Sequence, residues 1–138
     1  MKKILAVLFA LLSLAGCQTP NKEANKEIGT VNQSGFKNID ASTFRQLANS
    51  ENGIIVDVRT APEYSQGHIP NAISIDIYQR DFEQKIQQLP KDKEIYVYRT
   101  VGARSSQAAH ILSANGFTKV YNLDGGIMDW ANKGFEIE

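Results

Sequence analysis

Residues 94–107, EIYVYRTVGARSSQ, indicate a strand, a tight loop and the start of a helix in immediate succession. The four residues 95–98 are apolar or aromatic, and such residues are enriched in buried strands. Ser105 and Ser106 are residue types that favour the N-terminus of a helix. The loop between these two parts, residues 99–104, is therefore short. A strand that passes through a short loop into a helix is a building unit of α/β proteins.

The predicted loop has the features of an anion-binding site. Backbone N–H groups at a helix N-terminus point toward one place, and the helix dipole adds partial positive charge there. Gly102 lets the backbone turn without a Cβ, and Arg104 adds a fixed cation with several donors. The alternative is that the loop only connects the strand to the helix. The predicted anion-binding residues are Arg99, Thr100, Val101, Gly102, Ala103, Arg104 and Ser105.

The N-terminal residues predict a secretory signal. Lys2 and Lys3 form a positively charged start, and residues 4–14 form an almost uninterrupted apolar run. A run of this length is too short to span a bilayer, so a signal peptide is favoured over a membrane helix.

The sequence Leu14-Ala15-Gly16-Cys17 resembles the lipobox of bacterial lipoproteins. The resemblance implies cleavage before Cys17 and attachment of acyl chains such as palmitate to it, which would anchor the protein to a membrane of the cell envelope. In a Gram-negative cell, Gln18 after the cysteine favours the outer membrane, facing the periplasm. The alternative is an ordinary signal peptide with an incidental cysteine.

The domain organisation follows from where apolar residues become frequent. Residues 18–35 have only Ile28 and Val31 as sizeable apolar side chains, which is too little to offset the entropy cost of ordering. From Phe36 onward the pattern is that of a globular domain. We expect a signal peptide at residues 1–16, a lipidated cysteine and flexible tether at residues 17–35, and one folded domain at residues 36–138.

Composition excludes several classes of function. The chain has 138 residues, with fifteen basic and fifteen acidic side chains, and loss of Lys2 and Lys3 with the signal peptide leaves a net charge of −2. Nonspecific binding to nucleic acid is therefore not expected. Cys17 is the only cysteine, so no intrachain disulfide or CxxC site can form. With two histidines, His68 and His110, we predict no metal and no cofactor, and nothing in the sequence fixes an oligomeric state.

Strands alternate with helices through the predicted domain, which indicates an α/β fold with a mostly parallel sheet and helices on both faces. Ligands of such sheets bind at the carboxyl ends of the strands, where the loop at residues 99–104 lies. The predicted strands are residues 36–39, 54–58, 73–75, 95–98 and 120–123. The apolar helix residues predicted to face the core are Phe44, Leu47, Ala48, Phe82, Ile86, Leu89, Ala108, Ile111, Leu112 and Trp130.

Capping residues predict where several helices begin. Asp40 is placed to cap the first helix, and Thr60 and Glu63 fit a capping box at the start of the second. Asp124 and Asp129 flank a glycine turn and are expected to cap the last helix.

Four stretches together resemble a single-domain rhodanese. They are VDVR at residues 56–59, EYSQGHIPNA at 63–72, the strand, loop and helix at 98–106, and NLDGGIMDW at 122–130. The resemblance covers essentially residues 36–138, with the motifs in the family's order and spacing. It implies a five-stranded parallel sheet with helices on both sides. The implied family activity moves sulfane sulfur from thiosulfate or a similar donor to a thiol.

The chain departs from this family at the residue that carries sulfur. Active members have the pattern Cys-x-x-Gly-x-Arg-Ser, and Gly102, Arg104 and Ser105 match it, whereas Arg99 stands at the cysteine position. A persulfide intermediate requires a thiolate. Cys17 cannot replace it, since it is expected to be linked to lipid and lies beyond the tether. We therefore predict no catalytic residue and no sulfurtransferase activity.

The sequence therefore favours a lipid-anchored module that binds a small oxyanion or an acidic group of a partner. Arg99 is expected to point outward, because a guanidinium at the centre of the loop would meet positive potential. One alternative is a sulfurtransferase that acts with the thiol of a partner protein. A phosphatase-like hydrolase is disfavoured, because such loops also use the missing cysteine, and a further alternative is a sequence error or recent change at Arg99.

Three other polar residues are interpreted as structural. Asp57 and Arg59 are expected to fix the loop after their strand by hydrogen bonds and an ion pair, and His68 is expected to orient the chain after the second helix. The alternatives are that Asp57 and Arg59 line a pocket and that His68 transfers a proton.

Overall fold

The computed structural model describes residues 35–102 and 105–138. Within these residues, five strands form one sheet in the order β1-β5-β4-β2-β3, and every neighbouring pair is parallel. The predicted α/β fold with a five-stranded sheet is confirmed. The strands are β1 (Lys37–Ile39), β2 (Gly53–Asp57), β3 (Ile73–Ser74), β4 (Glu94–Tyr98) and β5 (Val120–Leu123).

Helices cover both faces of the sheet. One core cluster lies under α3 and α4, and a second lies under α1 and α5, so the domain has three layers. The helices are α1 (Ala41–Ala48), α2 (Ala61–Gln66), α3 (Phe82–Gln87), α4 (Ser106–Ala114) and α5 (Gly126–Asn132).

β4 is the central strand, and its side chains alternate between the two clusters. Ile95 and Val97 pack under α3 and α4, whereas Tyr96 and Tyr98 pack under α1 and α5. All four side chains are fully buried. The continuous run of large residues in this strand therefore reflects burial on both faces of a parallel sheet.

The N-termini of the first two helices are capped as expected. The Asp40 side chain accepts a hydrogen bond of 2.7 Å from the N–H of Thr43. At α2, the N–H and the hydroxyl of Thr60 both donate to Oε2 of Glu63, at 3.1 and 2.8 Å. These bonds satisfy polar groups that have no partner within the helix.

The predicted extent of one helix is wrong. α3 ends at Gln87, and Leu89 lies beyond it because its N–H closes a tighter turn onto the carbonyl of Ile86. The Leu89 side chain still packs against the cluster under α3 and α4. In α4, Ala108 and Leu112 are fully buried and Ile111 is partly buried against the same cluster, as predicted, and Ala109 joins them.

Candidate functional site

The loop that begins at Arg99 follows the carboxyl end of β4, between the ends of β2 and β5. Its first two carbonyl groups bind the start of α5. The N–H of Ile127 donates to the oxygen of Arg99 at 2.8 Å, and the N–H of Met128 donates to the oxygen of Thr100 at 3.2 Å. The loop and the N-terminus of α5 are therefore joined by their backbones.

The expectation that Asp124 and Asp129 cap α5 is wrong. Gly125 occupies the N-cap position, and no side chain caps the helix. The carbonyl groups of the loop after β4 take this role. The backbone of that loop must therefore lie very close to the start of α5. A Cβ on Gly126 would lie 2.5 Å from the carbonyl oxygen of Thr100, so only glycine fits there.

Gly102 is needed for the same approach. A Cβ on Gly102 would lie 2.5 Å from the backbone nitrogen of Gly125 and 3.2 Å from Oδ1 of Asp124. The glycine that the sequence analysis assigned to a turn thus also allows the loop to lie against the turn before α5.

The first part of the loop presents backbone donors. No acceptor among residues 35–102 and 105–138 receives a hydrogen bond from the N–H of Thr100, Val101 or Gly102. The carbonyl groups of Arg99 and Thr100 already accept hydrogen bonds from α5. Among the described backbone groups at the start of the loop, these three amides can still bind a ligand. This arrangement fits an anion.

The end of the loop is partly committed to internal bonds. Ser105 is fully buried, and its N–H and hydroxyl both donate to the carbonyl oxygen of Gly102, at 3.2 and 2.8 Å. Its hydroxyl is therefore not available to an anion. Ala103 and Arg104 of the predicted site, and the lipidation residue Cys17, lie outside the described residues.

A carboxylate lies beside the loop. The Thr100 hydroxyl donates to Oε1 of Glu63 at 3.2 Å, so Glu63 connects the start of α2 to the loop. Hydrogen bonds from Thr60, and then from Thr100, hold the pKa of Glu63 below its ordinary value. The sequence analysis assigned Glu63 to the helix cap alone, because no local pattern relates it to a residue 37 positions away.

Arg99 points out of the loop toward Tyr78. Its Nη2 donates to the Tyr78 hydroxyl at 2.7 Å, and its guanidinium carbon lies 5.1 Å from the centre of that ring. Both a hydrogen bond and a cation–π contact therefore bind the guanidinium to Tyr78. No local pattern in the sequence points to Tyr78 as a partner of Arg99.

A buried network lies beneath the loop. The Arg59 Nη2 and the Tyr98 hydroxyl each donate to Oδ2 of Asp57 at 2.6 Å, and Arg59 also donates to the carbonyl of Gly67. The Tyr98 hydroxyl accepts from the N–H of Ile69 at 3.0 Å. The structural interpretation of Asp57 and Arg59 therefore agrees with these contacts.

Burial and charge shift the pKa values of two residues in this network. Burial lowers the pKa of Arg59, but the hydrogen bonds and charge of Asp57 outweigh it and raise the pKa above the ordinary value. Burial, followed by the charge and hydrogen bond of Asp57, raises the pKa of Tyr98. Arg59 is thus a fixed cation and Tyr98 a neutral hydroxyl.

The two histidines make structural contacts. The ring of His68 stacks on Tyr64 with centroids 3.9 Å apart, and its backbone exchanges two hydrogen bonds with that of Glu138. His110 lies edge-on to Phe36. Within the part of the chain that the structure describes, no group of three His, Cys, Asp or Glu residues could hold a metal ion.

Comparison with known proteins identifies the family. The model of the family "Rhodanese-like domain" matches residues 40–133 of this chain. The chain belongs to the rhodanese-like domain family. It is 38% identical over 100 residues to a sulfurtransferase of Allochromatium vinosum. The match covers 72% of this chain and 92% of that protein. The resemblance noted in the sequence is confirmed.

A solved rhodanese-like structure shows the same fold. The crystal structure of a rhodanese-like domain protein from Staphylococcus aureus has a TM-score of 0.61 and 32% identity, and the match covers 74% of this chain and 98% of that one. Rhodanese-like sequence also occurs in larger proteins. This chain is 31% identical over 102 residues to the tRNA uridine(34) hydroxylase of Escherichia coli and covers 29% of its length.

The N-terminus carries a second recognisable signal. A model of the prokaryotic membrane lipoprotein lipid attachment site matches residues 1–18, which include Cys17. This finding supports anchoring of the rhodanese-like domain to a membrane through lipid. Within residues 35–102 and 105–138, no helix has the length and apolar character needed to cross a membrane.

Proposed function

We propose that this protein is a lipid-anchored rhodanese-like module of the cell envelope that binds an oxyanion or an acidic group of a partner and does not transfer sulfur. In a Gram-negative cell it would lie on the outer membrane, facing the periplasm. The observation that carries the proposal is Arg99 at the position of the sulfur-carrying cysteine. Cys17 is the only cysteine in the sequence, and it belongs to the lipid attachment site.

Three hydroxyls of the described residues lie in or next to the loop, and none of them is suited to replace the missing thiolate. The hydroxyls of Thr100 and Ser105 are bound to Glu63 and to the backbone, and a sulfur bonded to such an oxygen is not a stable carrier. The Tyr98 hydroxyl is buried and bound to Asp57, which raises its pKa and keeps it neutral. A covalent sulfane intermediate therefore has no attachment point.

The capacity to bind an anion is supported by the loop itself. The amides of Thr100, Val101 and Gly102 have no acceptor among the described residues, and the Arg99 side chain binds the Tyr78 hydroxyl. Glu63 next to Thr100 adds a nearby negative charge. We therefore expect affinity for small oxyanions to be weak.

Two measurements on the chain expressed from residue 18 test the proposal. Thiosulfate and cyanide should give no thiocyanate above the rate without protein. Calorimetric titration with thiosulfate or sulfate should show binding that Arg104→Ala abolishes and that Arg45→Ala, which removes an exposed charge on α1, preserves. Thiocyanate formation that persists after removal of contaminating enzymes would contradict the proposal, as would the absence of any binding.

A second candidate is a sulfurtransferase that uses the thiol of a partner, and the similarity to a protein named sulfurtransferase favours it. In this reaction a partner thiolate would attack the outer sulfur of thiosulfate, form a persulfide and release sulfite. Dithiothreitol can serve as the test thiol. Sulfite release that this chain accelerates and Arg104→Ala abolishes would support this candidate over the first.

A further inference from the structure

Exposed apolar side chains concentrate around the loop. Five large apolar residues are exposed in the described part of the chain, and three of them lie here: Tyr78, Val101 and Met128. Tyr78 contacts Arg99, Val101 belongs to the loop, and the N–H of Met128 binds the carbonyl of Thr100. We call Tyr78, Arg99, Val101 and Met128 the loop patch.

The single charge of the loop patch has no counterion among the described residues. No carboxylate of residues 35–102 or 105–138 lies within 4.0 Å of the Arg99 guanidinium. Its contacts there are the hydroxyl and the ring of Tyr78, which leave most of its N–H donors unused. A partner that covers the exposed apolar side chains would also remove water from this charge. A carboxylate of the partner offsets that loss best, because it supplies both the opposite charge and two acceptor oxygens.

The surroundings limit how much negative charge a partner can carry. Glu63 is bound to Thr60 and Thr100, and it keeps its negative charge beside the loop. Asp124 is exposed and lies beside Gly102. Among the described residues, these carboxylates oppose a polyanion, whereas one acidic side chain directed at Arg99 gains a pairing that offsets their repulsion.

We propose that the loop patch docks a protein segment that carries one carboxylate between apolar side chains. The carboxylate would bind the free donors of Arg99, and the flanking apolar side chains would cover Val101 and Met128. Tyr78 would hold the guanidinium in place. This assignment rests on the proposed function, since it names the partner class for the same loop.

Selection from a random heptapeptide library displayed on phage tests the assignment. The target is the chain expressed from residue 18 without lipid, which retains both core clusters of the domain. The enriched peptides should hold one Asp or Glu flanked by apolar residues. Replacing that acid by its amide should weaken binding of the synthetic peptide at least tenfold.

Variants of the protein show whether these peptides use the loop patch. Arg99→Gln should weaken binding at least tenfold, and Val101→Ser and Met128→Ser severalfold. Arg45→Gln removes an equal charge on α1, and Ile73→Ser removes an exposed apolar side chain on the edge strand β3; both should leave affinity within twofold. Urea unfolding of each variant separates loss of binding from loss of folding.

Each outcome supports or overturns the assignment. The assignment would be overturned by enrichment of neutral or basic peptides, or by no enrichment. It would also be overturned if Arg99→Gln left the affinity for the selected peptides unchanged. Dimerisation of the chain that Val101→Ser and Met128→Ser abolish would overturn it in favour of a second copy. Failure of peptide selection together with measurable thiosulfate binding would overturn the docking assignment alone, whereas thiosulfate turnover would overturn the proposed function.

Discussion

The backbone nitrogen of Ile127 lies 2.8 Å from the carbonyl oxygen of Arg99, so the last helix begins on the loop that follows the central strand. This bond and the one from Met128 to Thr100 take the place of a side-chain cap on α5. They also fix two loop carbonyls against α5. The shape of the candidate site therefore depends on a helix that contributes no catalytic group.

Gly126→Ala should destabilise the domain more than an ordinary glycine replacement. Gly126 has a φ of +63°, and a Cβ would lie 2.5 Å from the oxygen of Thr100. We expect a loss of about 2 kcal/mol or more in the free energy of unfolding. Gly134→Ala is the matched control, with a φ of +73° and no atom within 4 Å of the added Cβ. It should cost about 1 kcal/mol. Equal losses for the two variants in urea unfolding would contradict the backbone contact.

Asp57→Asn should destabilise the domain strongly, because it leaves the buried guanidinium of Arg59 without its charged partner. We expect a loss of about 3–5 kcal/mol in the free energy of unfolding. Tyr98→Phe removes only one hydroxyl from the same network and should cost about 1–3 kcal/mol. Urea unfolding of both variants tests this order. A larger loss for Tyr98→Phe would show that the ion pair of Asp57 and Arg59 is not the main source of stability in this network.

Glu63→Gln should change the response of stability to acid. The folded pKa of Glu63 is lowered from 4.5, so its contribution is fully present above about pH 4.5 and is lost as pH falls through the folded pKa. The variant should lose about 1 kcal/mol at pH 7 and converge with the parent at low pH. Glu83→Gln, at an exposed carboxylate in the first turn of α3, is the control. If the free energies of unfolding of variant and parent differed by a constant amount from pH 7 to pH 3, ionisation of Glu63 would not be the source of the stabilisation.

Arg99→Cys should gain thiosulfate cleavage, measured as thiocyanate formed with cyanide. The loop amides would lower the pKa of the introduced thiol below its usual value of about 8.5 and favour the thiolate. Arg99→Ser gives the same loss of positive charge without a thiol and should stay inactive. An introduced thiol with an ordinary pKa and no turnover would indicate that the loop is remodelled rather than only lacking its nucleophile.

Cys17→Ala should prevent lipid attachment in a bacterial host. Labelled palmitate should be incorporated into the parent chain and not into the variant, and the variant should leave the membrane fraction. Cys17→Ser gives a second variant that keeps a polar side chain of similar size. Palmitate incorporation that survives both changes would place the lipid elsewhere.

Local patterns predicted most of the fold. The apolar run at residues 95–98 predicted the central strand, and the capping residues Asp40, Thr60 and Glu63 predicted two helix starts, because each signal involves neighbours in the sequence. The last helix was predicted at residues 127–132 and lies at Gly126–Asn132, but its predicted capping was wrong. Asp124 and Asp129 have the right residue type for capping, but the loop carbonyls occupy the N–H groups first.

The sequence by itself determined the order of strands and helices and the identity of residue 99, since periodicity is local and a missing thiol is a covalent fact. Only the tertiary structure decided where the side chains of the loop go. Arg99 meets Tyr78 from 21 positions away, and Thr100 meets Glu63 from 37 positions away. Such contacts depend on how the ends of three parallel strands come together in the sheet. No short-range pattern encodes contacts between residues this far apart in the sequence.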